Sequence, residues 1–143
     1  MQIRNYTQQR FNKDLKKLLK QAEGFDYIVG IGRGSLSLAQ CLSYKTKTPF
    51  LYQPWERRDT YPIEESILEQ IECLKNILLV DEICDSGNTF KGVIDEIDFS
   101  TLRALNQYKI KTMSLLYNER SCFKPDFYAS KYNSKAYYKF WWE

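Results

Sequence analysis

Hydrophobic positions along the chain follow two periods, and the switches between them mark its elements. Phe11, Leu15, Leu18, Leu19 and Ala22 fall at helical spacing with lysines between them, and Gly24 follows as a stop. "FDYIVGI" (25–31) is a short, β-rich apolar run that ends in Gly-Arg-Gly, so it reads as a buried strand. Ser35 stands where it can cap a helix carrying Leu36, Ala39, Cys41 and Leu42, and "PFLYQ" (49–53) reads as a further strand. Residues 54–66 hold two prolines, many charges and little apolar pattern, which predicts a long surface loop. "IEESILEQIECL" (63–74) has the pattern of a short helix, and "NILLVDEI" (76–83) is the clearest strand in the chain. A helix is expected from Thr89, with Phe90, Val93, Ile94 and Ile97 on one face. "IKTMSLLY" (110–117), "DFYAS" (126–130) and "YYKFWW" (137–142) read as strands, the last two short.

Strands that alternate with helices predict an α/β fold: a parallel sheet flanked by helices. The strands are near-continuous apolar runs, as expected where both sheet faces are covered. No repeat or interdomain linker interrupts the 143 residues, so one domain over 1–143 is expected, with a small C-terminal or hood region. In such sheets ligands bind beyond the carboxyl ends of the strands. Both "GRGS" (32–35) and "DEICDSGNT" (81–89) sit at that edge.

Composition narrows the chemistry. The four cysteines show no Cys-x-x-Cys spacing and the chain has no histidine, which argues against zinc and against mechanisms that need imidazole. A net charge of +3 is too weak to argue for a nucleic-acid partner. The charge is unevenly placed, however. Ten acids lie between Glu64 and Asp98 against Lys75 and Lys91 alone. Most such runs are solvated faces. Asp81, Glu82 and Asp85 are different, because they adjoin a buried strand. The aromatic share, 15%, gathers near the C-terminus. The N-terminal stretch lacks the apolar core of a signal peptide, and no apolar run approaches a membrane span, so a cytoplasmic setting without a membrane partner is expected.

"CDSGNTF" (84–90) leads from strand into helix. A helix start offers unpaired backbone N–H groups and the positive end of the dipole, and Ser86 and Thr89 add hydroxyl donors, a combination that cradles phosphate. The plain alternative is a helix cap, which uses the same residue types. The lysine of a Walker loop is missing, which counts against an NTPase. Carboxylates beside a phosphate site would repel the ligand unless they serve another purpose, such as accepting from sugar hydroxyls or holding Mg²⁺ with its waters.

"ILLVDEICDSGNT" (77–89) resembles the phosphoribosyl pyrophosphate (PRPP) motif of the type I phosphoribosyltransferases: four apolar residues, two acids, two apolar residues, then Asp-Thr/Ser-Gly-x-Thr. The resemblance implies that Asp81 and Glu82 serve the ribose hydroxyls and the Mg²⁺ shell. It gives Asp85 the role of general base near the purine N7. Asp85, Ser86, Gly87, Asn88 and Thr89 would hold the 5′-phosphate. "IVGIGRGSLSLA" (28–39) is similar to the family's pyrophosphate loop, giving that role to Gly32, Arg33 and Gly34, where the family often has a strained or cis peptide. The tail from Leu115 resembles 6-oxopurine salvage enzymes, in which Lys-Pro-Asp-Phe/Tyr follows a leucine-rich strand. By that alignment Tyr137 stacks on the base and Tyr138 offers backbone groups to its edge. The lysine that usually donates to the 6-oxo group is replaced by Asn118, with Lys111 and Arg120 as neighbouring substitutes.

The resemblance thus implies Mg²⁺-dependent transfer of a phosphoribosyl group from PRPP to a nucleobase, a 6-oxopurine first, in a homo-oligomeric dimer or tetramer. The loop at 54–66 would act as a lid, with Arg57 and Arg58 reaching the diphosphate. Two other readings stay open at this point. One is a PRPP- or nucleotide-sensing regulator on the same scaffold, touching RNA through its basic tail; the other is a different nucleotide-binding α/β enzyme.

Overall fold

The computed structural model describes residues 2–55, 75–99 and 109–143, the side chains of 96–99 apart. In chain order the elements are β1 (Ile3–Tyr6), α1 (Gln8–Leu18), β2 (Tyr27–Ile31), α2 (Leu36–Thr46), β3 (Phe50–Gln53), β4 (Asn76–Cys84), α3 (Asn88–Phe99), β5 (Lys109–Asn118), β6 (Phe127–Tyr132) and β7 (Tyr137–Phe140). The helix read at 63–74 and most of the loop at 54–66, with Arg57 and Arg58, lie outside the described residues.

Five strands form one parallel sheet in the order β3-β2-β4-β5-β6. Helices α2 and α3 carry the chain back between parallel neighbours, as parallel pairing requires. Successive residues of β4 point to opposite faces. Leu78 and Val80 join Ile28, Met113, Leu38 and Leu42 on one side, while Ile77 and Leu79 join Val29, Ile31, Phe90 and Val93 on the other. Both faces are buried, which is why "ILLV" is apolar throughout. Each such leucine contributes about 1.5–3 kcal/mol of burial.

Strand order also locates the crevice. After β2 the chain moves to one side to make β3, then returns to make β4 on the other side of β2. The loops leaving β2 and β4 therefore diverge, and a cleft opens between them.

A second, two-stranded parallel ribbon pairs β1 with β7, Ile3 opposite Tyr137 through Tyr6 opposite Phe140. It supplies the expected C-terminal region, but half of it comes from the N-terminus, where the pattern predicts no strand. The ribbon packs on α1: the Tyr6 and Phe140 rings lie 5.0 Å apart, and Phe11 meets Trp142 edge-on at 5.6 Å. Beneath it the Tyr6 hydroxyl donates to buried Asp14 at 2.6 Å. Burial, and then that carboxylate, push the Tyr6 hydroxyl well above the usual tyrosine range.

Candidate active site

A cleft of about 740 Å³ lies at the carboxyl ends of β2 and β4, and the two strand-end loops form most of its wall. Gly32, Arg33 and Gly34 line one side; Asp81, Glu82 and the turn from Asp85 to Thr89 line the other. The residues assigned to PRPP are thus brought together. Those assigned to the base are not.

Each loop has its shape for a local reason. Gly32 takes φ 68°, ψ 169°, open to glycine alone, and its N–H donates to the Gln53 carbonyl of β3 at 2.9 Å. No peptide among the described residues is cis. Ser35, expected as the helix cap, instead donates its hydroxyl to the Gly32 carbonyl at 2.7 Å, which ties the loop into a 3₁₀ turn. Across the cleft Gly87 has φ 87°, and a Cβ there would come within 2.7 Å of the Phe123 nitrogen and overlap the Ser121 hydroxyl. The segment 119–123 therefore braces the turn from behind, and the Cys122 N–H donates to the Ser86 carbonyl at 2.9 Å. Helix α3 starts at Asn88, one residue before the expected position, with the Asn88 N–H donating to the Ser86 hydroxyl at 3.2 Å. Lys91 makes the first helical bond, to Gly87, so the N–H groups ahead of it have no helical carbonyl to meet.

The acidic pair links the loops. A Cβ at Gly34 would overlap the Glu82 carboxylate, so that carboxylate stands directly against the glycine backbone. Asp81 is 7% exposed, and its Oδ1 accepts the Glu82 N–H at 2.9 Å. Burial, reinforced by the neighbouring Glu82 charge, holds the Asp81 carboxyl well above the usual carboxylate range. Two adjacent oxygen donors whose mutual repulsion a cation would relieve fit Mg²⁺, with the remaining positions left to ligand oxygens and water. Among the described residues no cluster of three or more acidic, Cys or His side chains could hold a metal without such help.

The base side departs from expectation. Asn118 is 4% exposed and does not line the cleft. Both of its amide hydrogens are committed, one to Asp85 Oδ1 and one to the Ser134 carbonyl, each at 2.9 Å, while its own oxygen accepts the Arg120 N–H at 3.1 Å. It holds Asp85 and has no donor left for a base. Tyr137 sits on the outer face of β7, 45% exposed, with its hydroxyl donating to Glu143 at 3.4 Å. Tyr138 alternates inward; its ring is buried against Tyr132 at 5.0 Å and its backbone pairs with Arg4. Lys111 lies at the start of β5, opposite Leu78 and at the far end of the strand from the cleft. Arg120 donates from Nε to Asn133 at 2.9 Å.

Two functional candidates escape the sequence pattern. Trp55 lines the cleft: its carbonyl oxygen stands 3.2 Å from where a Gly32 Cβ would be, and its ring occupies the space above Gly92 of α3. The available signal was its place just past the end of β3, at the same sheet edge as the other loops. Tyr132 donates its hydroxyl to Asp85 Oδ1 at 2.6 Å, and burial together with that carboxylate raises it well above the usual tyrosine range. Nothing in "SKYNS" marks it.

The phosphoribosyl transferase domain family matches residues 2–142. Among solved structures, a purine phosphoribosyltransferase from Pyrococcus horikoshii is 24% identical with TM-score 0.78, covering 100% of this chain and 95% of that one. The Helicobacter pylori xanthine-guanine-hypoxanthine phosphoribosyltransferase is 23% identical with TM-score 0.76, covering 98% and 91%. An adenine phosphoribosyltransferase from Thermoanaerobacter pseudethanolicus, 14% identical with TM-score 0.61 over 87% and 81%, shares the fold as well. No curated protein matches at the level of sequence. With the family matched over nearly its whole length and the strand-end loops of β2 and β4 meeting in one cleft, the chain belongs to the phosphoribosyl transferase domain family and is a phosphoribosyltransferase, an enzyme of PRPP-dependent transfer to a nucleobase.

Proposed function

We propose that this enzyme uses a 6-oxopurine as its base, in purine salvage, with Mg²⁺ held by Asp81 and Glu82. The observation that carries the PRPP half is the convergence of the phosphate turn, the acidic pair and the glycine loop on one cleft, joined by Glu82 against Gly34. For the base, the support is the 6-oxopurine-like tail and the solved purine and xanthine-guanine-hypoxanthine phosphoribosyltransferases that share the fold at TM-scores of 0.78 and 0.76.

In this reading the N–H groups at the start of α3 and the hydroxyls of Ser86 and Thr89 hold the 5′-phosphate. The backbone of Gly32–Gly34 meets the diphosphate, and the carboxylates of Asp81 and Glu82 accept from the ribose hydroxyls. The bond between the anomeric carbon and the diphosphate oxygen breaks, its electron pair leaving with pyrophosphate, and the base nitrogen forms the new bond to that carbon. Asp85 takes the proton released from the base. Such general base catalysis contributes on the order of 10²–10⁴-fold. Bound Mg²⁺ would supply charge neutralisation to the departing pyrophosphate. The reading carries with it a cytoplasmic homo-oligomer; no helix among the described residues is long and apolar enough to cross a membrane.

The test is base-dependent pyrophosphate release from PRPP with and without Mg²⁺, across hypoxanthine, guanine, xanthine, adenine, uracil and orotate. Release with the first three is expected. Release only with adenine or a pyrimidine would overturn the base assignment, and full turnover in chelator would overturn the metal.

A further inference from the structure

Asp85, Asn118 and Tyr132 form a row across three adjacent strand ends. Cys84 of β4 is in register with Tyr117 of β5, so the next residues along, Asp85 and Asn118, fall side by side. Asn118 is in turn in register with Tyr132 of β6. In a parallel sheet residues in one such row project to the same side, so the register itself delivers an amide and a phenol to the carboxylate. Both donate to the same atom: Tyr132 to Oδ1 at 2.6 Å, and Asn118 to Oδ1 at 2.9 Å. Among the described residues no hydrogen bond reaches Oδ2, and Asp85 lines the cleft.

The two donors are themselves held. Asn118 has every amide position filled, by Asp85, the Ser134 carbonyl and the Arg120 N–H. The Tyr132 ring is wedged edge-on against Tyr138 at 5.0 Å, within the core under the β1–β7 ribbon. A carboxylate with one oxygen doubly anchored cannot rotate about its terminal bond without breaking two charge-assisted hydrogen bonds. Its second oxygen is then held in one orientation, on a residue that lines the cleft.

We propose that Tyr132 and Asn118 are positioning residues that pin Oδ1 of Asp85 and leave Oδ2 as the atom that receives the proton of the incoming base. Neither touches the reacting atoms. They act through Asp85, and the inference rests on the reading of Asp85 as the proton acceptor. One consequence concerns specificity. With Asn118 engaged in this way, the position that usually carries a base-reading lysine is part of the proton-transfer apparatus, and recognition of the exocyclic groups falls to other residues.

The experiment is a double-mutant cycle between Tyr132→Phe and Asp85→Asn, read as kcat and as KM for PRPP with the best base from the panel. Tyr132→Phe keeps the ring in the core and removes only the hydroxyl. It should lower kcat by about tenfold or more through loss of orientation, with KM for PRPP unchanged within about twofold. In the Asp85→Asn background the same change should have no further effect within about twofold, because the oriented carboxylate is already gone. An equal factor in both backgrounds, or an unchanged kcat in the first, overturns the proposal while leaving Asp85 in its role. If Asp85→Asn alone turns over at the normal rate, the reading of Asp85 fails and the proposal fails with it. Melting temperatures establish that each variant is folded. Should Tyr132→Phe not fold, Asn118→Ser, whose shorter side chain cannot span to Asp85, runs through the same cycle with the same expectations.

Discussion

Residues 81–89 line the cleft as a continuous stretch of chain, whereas the β1–β7 ribbon joins residues as far apart as Arg4 and Tyr138, 134 positions distant in sequence. Both regions are rich in residue types that recognise ligands: carboxylates and small hydroxylated residues in the first, tyrosine and tryptophan in the second. In the first region those types line the cleft. In the ribbon they are packing, with Tyr6, Phe140 and Trp142 closing over α1 and Tyr138 turned inward. Residue type alone does not separate a pocket wall from a core. What separates them is place: the cleft residues sit at the carboxyl end of β4 and in the turn beyond it, whereas the ribbon's aromatic side chains close over α1.

Four substitutions test that division. The largest effect is expected from Phe140→Ala, which empties a buried ring site and should destabilise the protein by about 3–5 kcal/mol in denaturant unfolding. Its folded fraction should keep a normal KM for PRPP, and a raised KM would bring the ribbon into the site. Gly87→Ala acts in the opposite sense. The left-handed φ and the Phe123 backbone behind it leave no room for a Cβ, so the turn must shift and kcat/KM for PRPP should fall by about a hundredfold. Normal PRPP kinetics in that variant would remove the turn from phosphate binding.

Asp81→Asn should separate stability from function within the cleft. The Asp81 carboxyl is raised by burial and by Glu82, so above the unfolded value near pH 3.9 the unfolded chain releases a proton that the folded chain keeps, and stability falls as pH rises toward the folded value. The neutral amide escapes that loss. The variant should be more stable at neutral pH, with the gain vanishing as pH falls below about 4. Urea titrations at pH 4 and pH 7 check the sign, and activity should drop although stability rises. The smallest effect belongs to Tyr137→Ala: an exposed side chain on the outer face of β7 should change stability by less than about 0.5 kcal/mol. The base KM should move less than twofold, and a tenfold rise would return Tyr137 to the base pocket.

Elements whose signals were local were legible beforehand. β4, α1 and the turn at 84–90 each carry their period or their small residues in consecutive sequence; β4 and the start of α3 formed within one residue of expectation, while α1 ends at Leu18, four residues before Ala22, the last residue expected on it. β1 was not legible, because "IRNY" has no strand pattern of its own and becomes a strand only by pairing with β7. The cleft side of the site followed the same division. Asp81, Glu82 and Asp85 to Thr89 are contiguous, so the motif and the wall coincide. Tyr132 comes from β6 and was invisible until the register placed it, while Trp55, just past the end of β3, was signalled only by its place at that sheet edge.

By itself, then, the sequence determined the alternation of strands and helices from α1 to β5 among the described residues, the two loops that wall the cleft and the acidic pair between them, since these depend on neighbours within a turn or a strand. Tertiary structure decided which aromatic side chains are core, where Trp55 stands, and what Asn118 does. That last point turns on register. A one-residue slip of β5 against β4 would send Asn118 to the opposite face of the sheet, and only the packing of both buried faces holds it beside Asp85.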